Sequence, residues 1–269
     1  MKMKPNFQAY LQVYKMQIIH SMTYKFDVYG NILMQSIIML ASSFFWKALY
    51  ADKGSVQSVN ADSMMVYTVV SSMISVVLLT NVERRITTSV SKGTIAIDMM
   101  RPVDIYKIFF AEDLAGTTAL IFQSLIPVFV IGSILIGVPV PASLFGFVLF
   151  LCSLFMAYWI NWLMAVTFGM LSFQVINMDA LIQVKKHLIR LLSGSIIPLW
   201  FFPDTLRAVL ECLPFAYLYQ LPLNLYIGKY DTGYLAKAFS IQALWLCIFA
   251  VLFMVCRKKA ENKIMIQGG

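Results

Sequence analysis

LFGFVLFLCSLFMAYWINWLMAVTFGMLS, residues 144–172, runs for 29 positions without a charged side chain. Roughly 20 helical residues at about 1.5 Å each cross a hydrocarbon core of about 30 Å, so a block of this length reads as a membrane span. A soluble core of similar length would interrupt its apolar residues at helical or alternating spacing. Working outward, similar blocks recur on both sides. Expected spans cover 26–49, 63–82, 114–137, 144–172, 181–201 and 234–256. The fifth is the weakest, with Lys185, Lys186, His187 and Arg190 in its first half. Either these bases snorkel at the membrane interface, the favoured reading, or they face a water-filled interior.

Composition agrees with this division. The 269 residues are 60% hydrophobic and 13% charged, whereas a soluble domain carries about 25% charged residues. The formal charge of +8 comes from bases flanking the apolar blocks, which points to lipid headgroups and topology rather than nucleic acid. Lysine and arginine concentrate before the first block, between the second and third, at the start of the fifth and after the sixth. Those places hold 16 of the 21 bases. The positive-inside rule therefore puts both termini in the cytoplasm. Met1 to Tyr24 is too polar for a signal peptide, so the first block is expected to remain as a span. The fold class expected is all-α, a polytopic membrane protein of six transmembrane helices forming one transmembrane domain over 1–269.

Two connectors are long. Residues 83–113, ERRITTSVSKGTIAIDMMRPVDIYKIFFAED, mix charge with an amphipathic stretch and are punctuated by Gly93 and Pro102. The residue before a proline avoids the helical region, so Arg101 ends a helix. Short surface helices and a solvated loop both fit this connector. The other is the proline-rich region after the fifth block, whose outer part spans 202–233. It is too apolar for a free loop and too broken for a straight span. Short re-entrant helices fit it, with aromatic side chains at the interface.

Catalytic motifs are missing. There is no GxxxxGK[ST] phosphate cradle, GxGxxG, HExxH or GxSxG. Cys152, Cys212, Cys247 and Cys256 form no CxxC pair and read as small apolar residues, so neither zinc nor a disulfide framework is expected. Acidic residues are absent from the expected span interiors, and ion-coupled carriers usually need buried ionisable groups there. The polar residues noted at depth are Gln123, Asn161 and the adjoining Trp162. They either line a pathway or bond between helices, with packing favoured.

The connector ITTSVSKGTIAIDMMRPVDIY and the later stretch LLSGSIIPLWFFPDTLRAVLECLPF together resemble the ABC type-2 permease family. In the first, Gly93, Arg101 and Pro102 fill the family's pattern, with Met99 and Met100 where leucines are usual. In the second, Ser193, Gly194, Pro198, Leu199, Phe202, Pro203, Leu213, Pro214 and Phe215 match. The resemblance covers nearly the whole chain. It implies a permease subunit, usually of an exporter or efflux system, without an ATPase site of its own. Two such subunits, identical or related, would pair, and each would dock a cytoplasmic ATPase. That partner would use the ATP and Mg, and the permease would bind no cofactor directly. Residues 83–113 would hold a coupling helix, 202–233 would form outer re-entrant helices, and the location would be a cell membrane, the bacterial plasma membrane. An ion-gradient-driven carrier or channel, or a non-transporting assembly subunit, is the alternative.

Overall fold

The computed structural model describes residues 7–23, 25–51, 55–56, 59–100, 102–175 and 178–267. The described chain is helical apart from one small hairpin. It comprises α1 (Phe7–Thr23), α2 (Lys25–Tyr50), strands β1 (Ser55–Val56) and β2 (Val59–Asn60), and α3 (Ala61–Val77). Then follow α4 (Val82–Ser91), α5 (Thr94–Met99), α6 (Ile105–Leu120), α7 (Ile126–Leu135) and α8 (Leu144–Met170). Last come α9 (Met178–Leu192), α10 (Asp204–Cys212), α11 (Gln220–Tyr226) and α12 (Thr232–Gln267). The strands pair antiparallel, Ser55 opposite Asn60 and Val56 opposite Val59.

Local chemistry sets the helix starts. Asn60 Oδ1 accepts from the Ser63 amide at 2.8 Å and caps α3, with Asp62 in the first turn favouring the positive end of the helix dipole. Asp104 caps α6 by accepting from the Tyr106 amide at 3.0 Å, and Ser143 caps α8 through the Gly146 amide at 2.9 Å. Between α6 and α7 a π-turn occupies Ile121–Leu125. Pro127 follows it, and its ring would clash with the carbonyl four residues back in a regular helix. One wider turn relieves that clash and keeps the helix continuous.

Among the described residues, five helical runs are long and apolar enough to cross a membrane: Val28–Tyr50, Ala61–Ser91, Ile105–Leu135, Leu144–Phe173 and Gly233–Glu261. The chain is an all-α polytopic membrane protein. The expected crossing at 181–201 is not among these runs. Its helix, α9, has only 15 residues, about 22 Å long, and carries Asp179, Lys185, Lys186, His187 and Arg190. It stops at Ser193, and Gly194 takes the left-handed conformation with φ +83°. Pro198, with no amide hydrogen, stands in the segment that follows. A second correction concerns charge. Glu83 lies inside the second run, and Glu112 and Asp113 lie inside the third, because α6 begins at Ile105, earlier than the apolar block suggests.

The core gathers around α8, whose Ile160–Val166 stretch is buried throughout, and α8 packs against α4, α11 and α12. Phe145, Val148, Leu151 and Phe155 of the same helix are exposed. Apolar side chains on the outside of a membrane protein face lipid tails and need no protein cover. The two ends of the bundle differ in chemistry. One gathers α4, α5, the start of α6 and the basic part of α12, where Arg257 bonds Asp104 at 2.9 Å. The other gathers the α7–α8 loop and α11, where Tyr226 Oη donates to the Pro139 carbonyl at 2.6 Å.

Candidate functional site: a polar groove between α2, α3 and α9

In α3, Thr68, Ser71, Ser72 and Ser75 fall at i, i+3, i+4 and i+7, one face of a helix. This hydroxyl stripe forms one wall of a groove of about 370 Å³. Asn31, Gln35 and Ser42 of α2 supply the facing wall, and Ser195 and Tyr219 contribute from the chain after α9. Ser72 and Ser75 each bond a carbonyl one turn back, at 3.1 and 2.9 Å. Such bonds satisfy the hydroxyl hydrogen inside the helix and leave oxygen lone pairs for a polar solute. Ser71 donates outward instead, to the Ser195 carbonyl at 2.6 Å, and Tyr219 Oη reaches Ser75 Oγ at 3.3 Å.

At one end the groove is charged. Glu83 of α4 is fully buried and pairs with buried Lys185 of α9, while Lys186 stands 3.8 Å away and is half-exposed. Arg190 also lines this end. At the other end the aromatic turn 199–201 closes against α2 and α3. Trp46 stacks on Phe201 with ring centres 5.0 Å apart, and Tyr67 meets Trp200 edge-on at 5.4 Å.

Irregular backbone beside the groove is satisfied by protein, as it must be at membrane depth. Tyr67 Oη donates to the Gly194 carbonyl at 2.5 Å. The Gln220 amide donates to the Ser193 carbonyl at 3.1 Å, and Gln220 Oε1 accepts from the Leu199 amide at 2.9 Å and from Tyr67 Oη at 3.1 Å. A Cβ on Gly194 would stand 2.2 Å from Gln220 Oε1, so close approach and positive φ both demand glycine there.

The sequence candidates separate into several places. Asn161 lines the groove, and its Nδ2 donates at 2.8 Å to the Leu78 carbonyl, freed where α3 ends. Asp113 serves the restart of the same chain, accepting from Thr80 Oγ1 at 2.7 Å and from the Asn81 amide at 3.3 Å. Trp162, next to Asn161, points to a different place and lines a second, aromatic cavity. Gln123 lies half-buried in the π-turn and does not line the groove. Ser193, Gly194 and Pro198 are buried around the Gln220 hub, as is Pro214 in the turn before α11. Phe202 is half-buried and Pro203 exposed. Gly93 has φ +71° and turns the chain from α4 into α5, and Pro102 is exposed beyond α5. Arg101 lies outside the described residues.

Sequence reading missed the hydroxyl stripe, although its spacing was present in YTVVSSMIS. It also missed Gln220 and Gln242. The latter is fully buried in α12, where Nε2 donates to the Ser153 and Tyr217 carbonyls at 2.9 and 3.0 Å.

The site is therefore a hydroxyl-lined groove with a charged end, set in a bundle of long apolar helices. The ABC-2 family transporter proteins match residues 36–268, nearly all of the chain, and the protein belongs to that family. No curated protein matches it.

Proposed function

We propose that the protein is the permease subunit of an ATP-binding-cassette exporter, driven by a separate ATPase. The observation that carries this reading is the groove, which is walled chiefly by α2, α3 and α9, with Glu83 of α4 and Asn161 of α8 at its margin, and is polar on the inside. That is half of a pathway, and a second permease subunit, identical or related, completes it. The basic end of the bundle faces the cytoplasm under the positive-inside rule, with both termini there. Helices α10 and α11 then lie at the outer face as caps over the groove. The substrate is moved outward, and ATP and Mg are handled by the partner alone.

On the cytoplasmic side α5 is the coupling element. Gly93 turns it, Ile95 anchors it in the core, and Ile97 and Met100 stand out from it, 64% and 86% exposed. Two apolar side chains at the tip of a short helix fit a groove on another protein. Coexpression with an ATP-binding-cassette ATPase from the same genome and copurification in detergent test this. The ATPase is expected to stay bound to the wild-type chain. Ile97→Asp should cut its recovery at least about tenfold, because it puts an unpaired charge into a buried contact. Membrane insertion should be unchanged. An ATPase that never copurifies would overturn the permease reading. An Ile97→Asp chain that retains the ATPase normally would overturn this placement of the contact.

A further inference from the structure

Helix α9 has two unlike faces. Leu181, Val184, Leu188 and Leu191 share one side of it and are exposed, as a lipid-facing stripe is. Lys186 and Arg190, four positions apart, fall on the opposite side and line the polar groove. These bases therefore turn away from the lipid and toward α2 and α3.

Charge does not balance at that end. Three bases, Lys185, Lys186 and Arg190, line it against one carboxylate, Glu83, so two positive charges are in excess. Asp113 stands behind Thr80 and does not line the groove. Buried Lys185 is held by Glu83 and lies 5.5 Å from the centre of the Phe168 ring. Lys186 only approaches the same carboxylate, at 3.8 Å. The Arg190 guanidinium has no acceptor among the described residues. The nearby carbonyls of its own helix end are taken, that of Arg190 by Ser195 Oγ and that of Ile189 by the Ser193 amide, both at 3.0 Å. Arg190 does lie within electrostatic reach of the Tyr219 phenol, which bonds Ser75 of the hydroxyl stripe.

An unmatched charge facing the interior of a membrane bundle marks a ligand path. The planar fork of arginine fits the paired oxygens of a phosphate, and a neighbouring lysine adds a point charge. Beyond the bases the groove offers the α3 hydroxyls with Asn31 and Gln35, so the rest of the ligand is polar as well. A volume of about 370 Å³ stands near the lower end of the roughly 300–1,000 Å³ of small-molecule sites, which suits a head group.

We propose that Lys186 and Arg190 hold the phosphate of the substrate, and that its hydroxyl-bearing body lies along the α3 stripe. Lys185 is a positioning residue here, because it neutralises Glu83, which would otherwise repel the anion. Phosphate of this kind arrives either as the head group of a lipid or as a water-soluble ester. That the bound anion is the transported substrate rests on the permease reading; that it binds does not.

The test uses the full chain, with any subunits that copurify, in dodecyl maltoside, and reads the melting midpoint during titration at constant ionic strength. The probes are glycerol 3-phosphate, phosphatidylglycerol, phosphatidylcholine and glycerol. At least one of the first two should raise the midpoint saturably, as a ligand of the folded state does. Phosphatidylcholine, whose phosphate carries its own counter-charge, and glycerol should not. Arg190→Gln and Lys186→Gln should each weaken binding of the effective probe at least about tenfold, the loss of one charge-assisted contact, and Arg190→Lys should lose less. The Arg190 side chain bonds nothing among the described residues, so its variants should fold like the wild type. Binding of glycerol 3-phosphate assigns the site to a soluble ester, and binding of phosphatidylglycerol alone assigns it to a lipid head group. The proposal is overturned if neither phosphate compound stabilises the chain, if the two neutral probes do so equally, or if Arg190→Gln binds like the wild type. A chain that binds phosphate yet never holds an ATPase would keep this site and lose the permease reading. A chain that holds the ATPase and ignores both phosphate compounds would do the reverse.

Discussion

Gly194→Ala should lower the melting temperature of the detergent-solubilised protein by roughly 10 °C, while Gly30→Ala should leave it within error or raise it slightly. At Gly194 three effects act together. Its φ of +83° costs an L-residue about 1–2 kcal/mol. The new Cβ would overlap Gln220 Oε1, which lies 2.2 Å from its ideal position. Moving Gln220 away would strand the Leu199 amide, while Tyr67 Oη would keep only the Gly194 carbonyl, and a buried group left unsatisfied costs about 1–3 kcal/mol. The sum, about 3–5 kcal/mol, is a large part of the 5–15 kcal/mol that holds a typical domain together, and for a chain of this size each kcal/mol moves the midpoint by about 2–4 °C. Gly30 has nothing within 4 Å of a built Cβ, and alanine is the better helix former. Fluorescence-detected size-exclusion chromatography after graded heating reads both. A Gly194→Ala chain that melts with the wild type would show that the hub around Gln220 does not exist in solution.

That hub also marks where reading the sequence fell short. The long spans were legible because twenty or more apolar residues leave a helix little alternative in lipid. The broken crossing was not. Its backbone is satisfied by Gln220 and Tyr67, one downstream of it and one far upstream, and no local pattern announces such a pairing. The groove was hidden for another reason. Thr68, Ser71, Ser72 and Ser75 barely dent hydropathy, so they read as neutral filler, although their helical spacing was in plain view. Asp113 was placed outside the membrane because Lys107, Glu112 and Asp113 look like the end of a connector. The helix in fact starts at Ile105, since Asp104 caps it. Trp162 shows the opposite limit. It adjoins Asn161 in sequence, yet consecutive residues on a helix point about 100° apart, and the two line different cavities.

Glu83→Gln should destabilise the protein by about 3–5 kcal/mol, because it leaves the Lys185 ammonium buried without its counter-charge. Lys185→Met should cost less, since Lys186 at 3.8 Å remains to balance Glu83. The double variant, Glu83→Gln with Lys185→Met, removes both charges and should recover most of the loss, as apolar replacements of buried pairs often do. Transport separates a strut from mere filler. Glu83 starts α4, the helix leading to α5, and Lys185 belongs to α9, a wall of the groove. If α5 takes up the movement of the ATPase, this pair is one direct contact through which α4 could move a wall of the pathway. In proteoliposomes with the proposed ATPase subunit, the double variant should then fold and assemble, and the ATPase should hydrolyse ATP near the wild-type rate, while substrate export falls at least about tenfold. Normal export by a stable double variant would remove the pair from the coupling route and leave it a purely structural contact. Failure of the double variant to regain stability would mean that the shape of the pair, not its charge balance, joins α4 to α9.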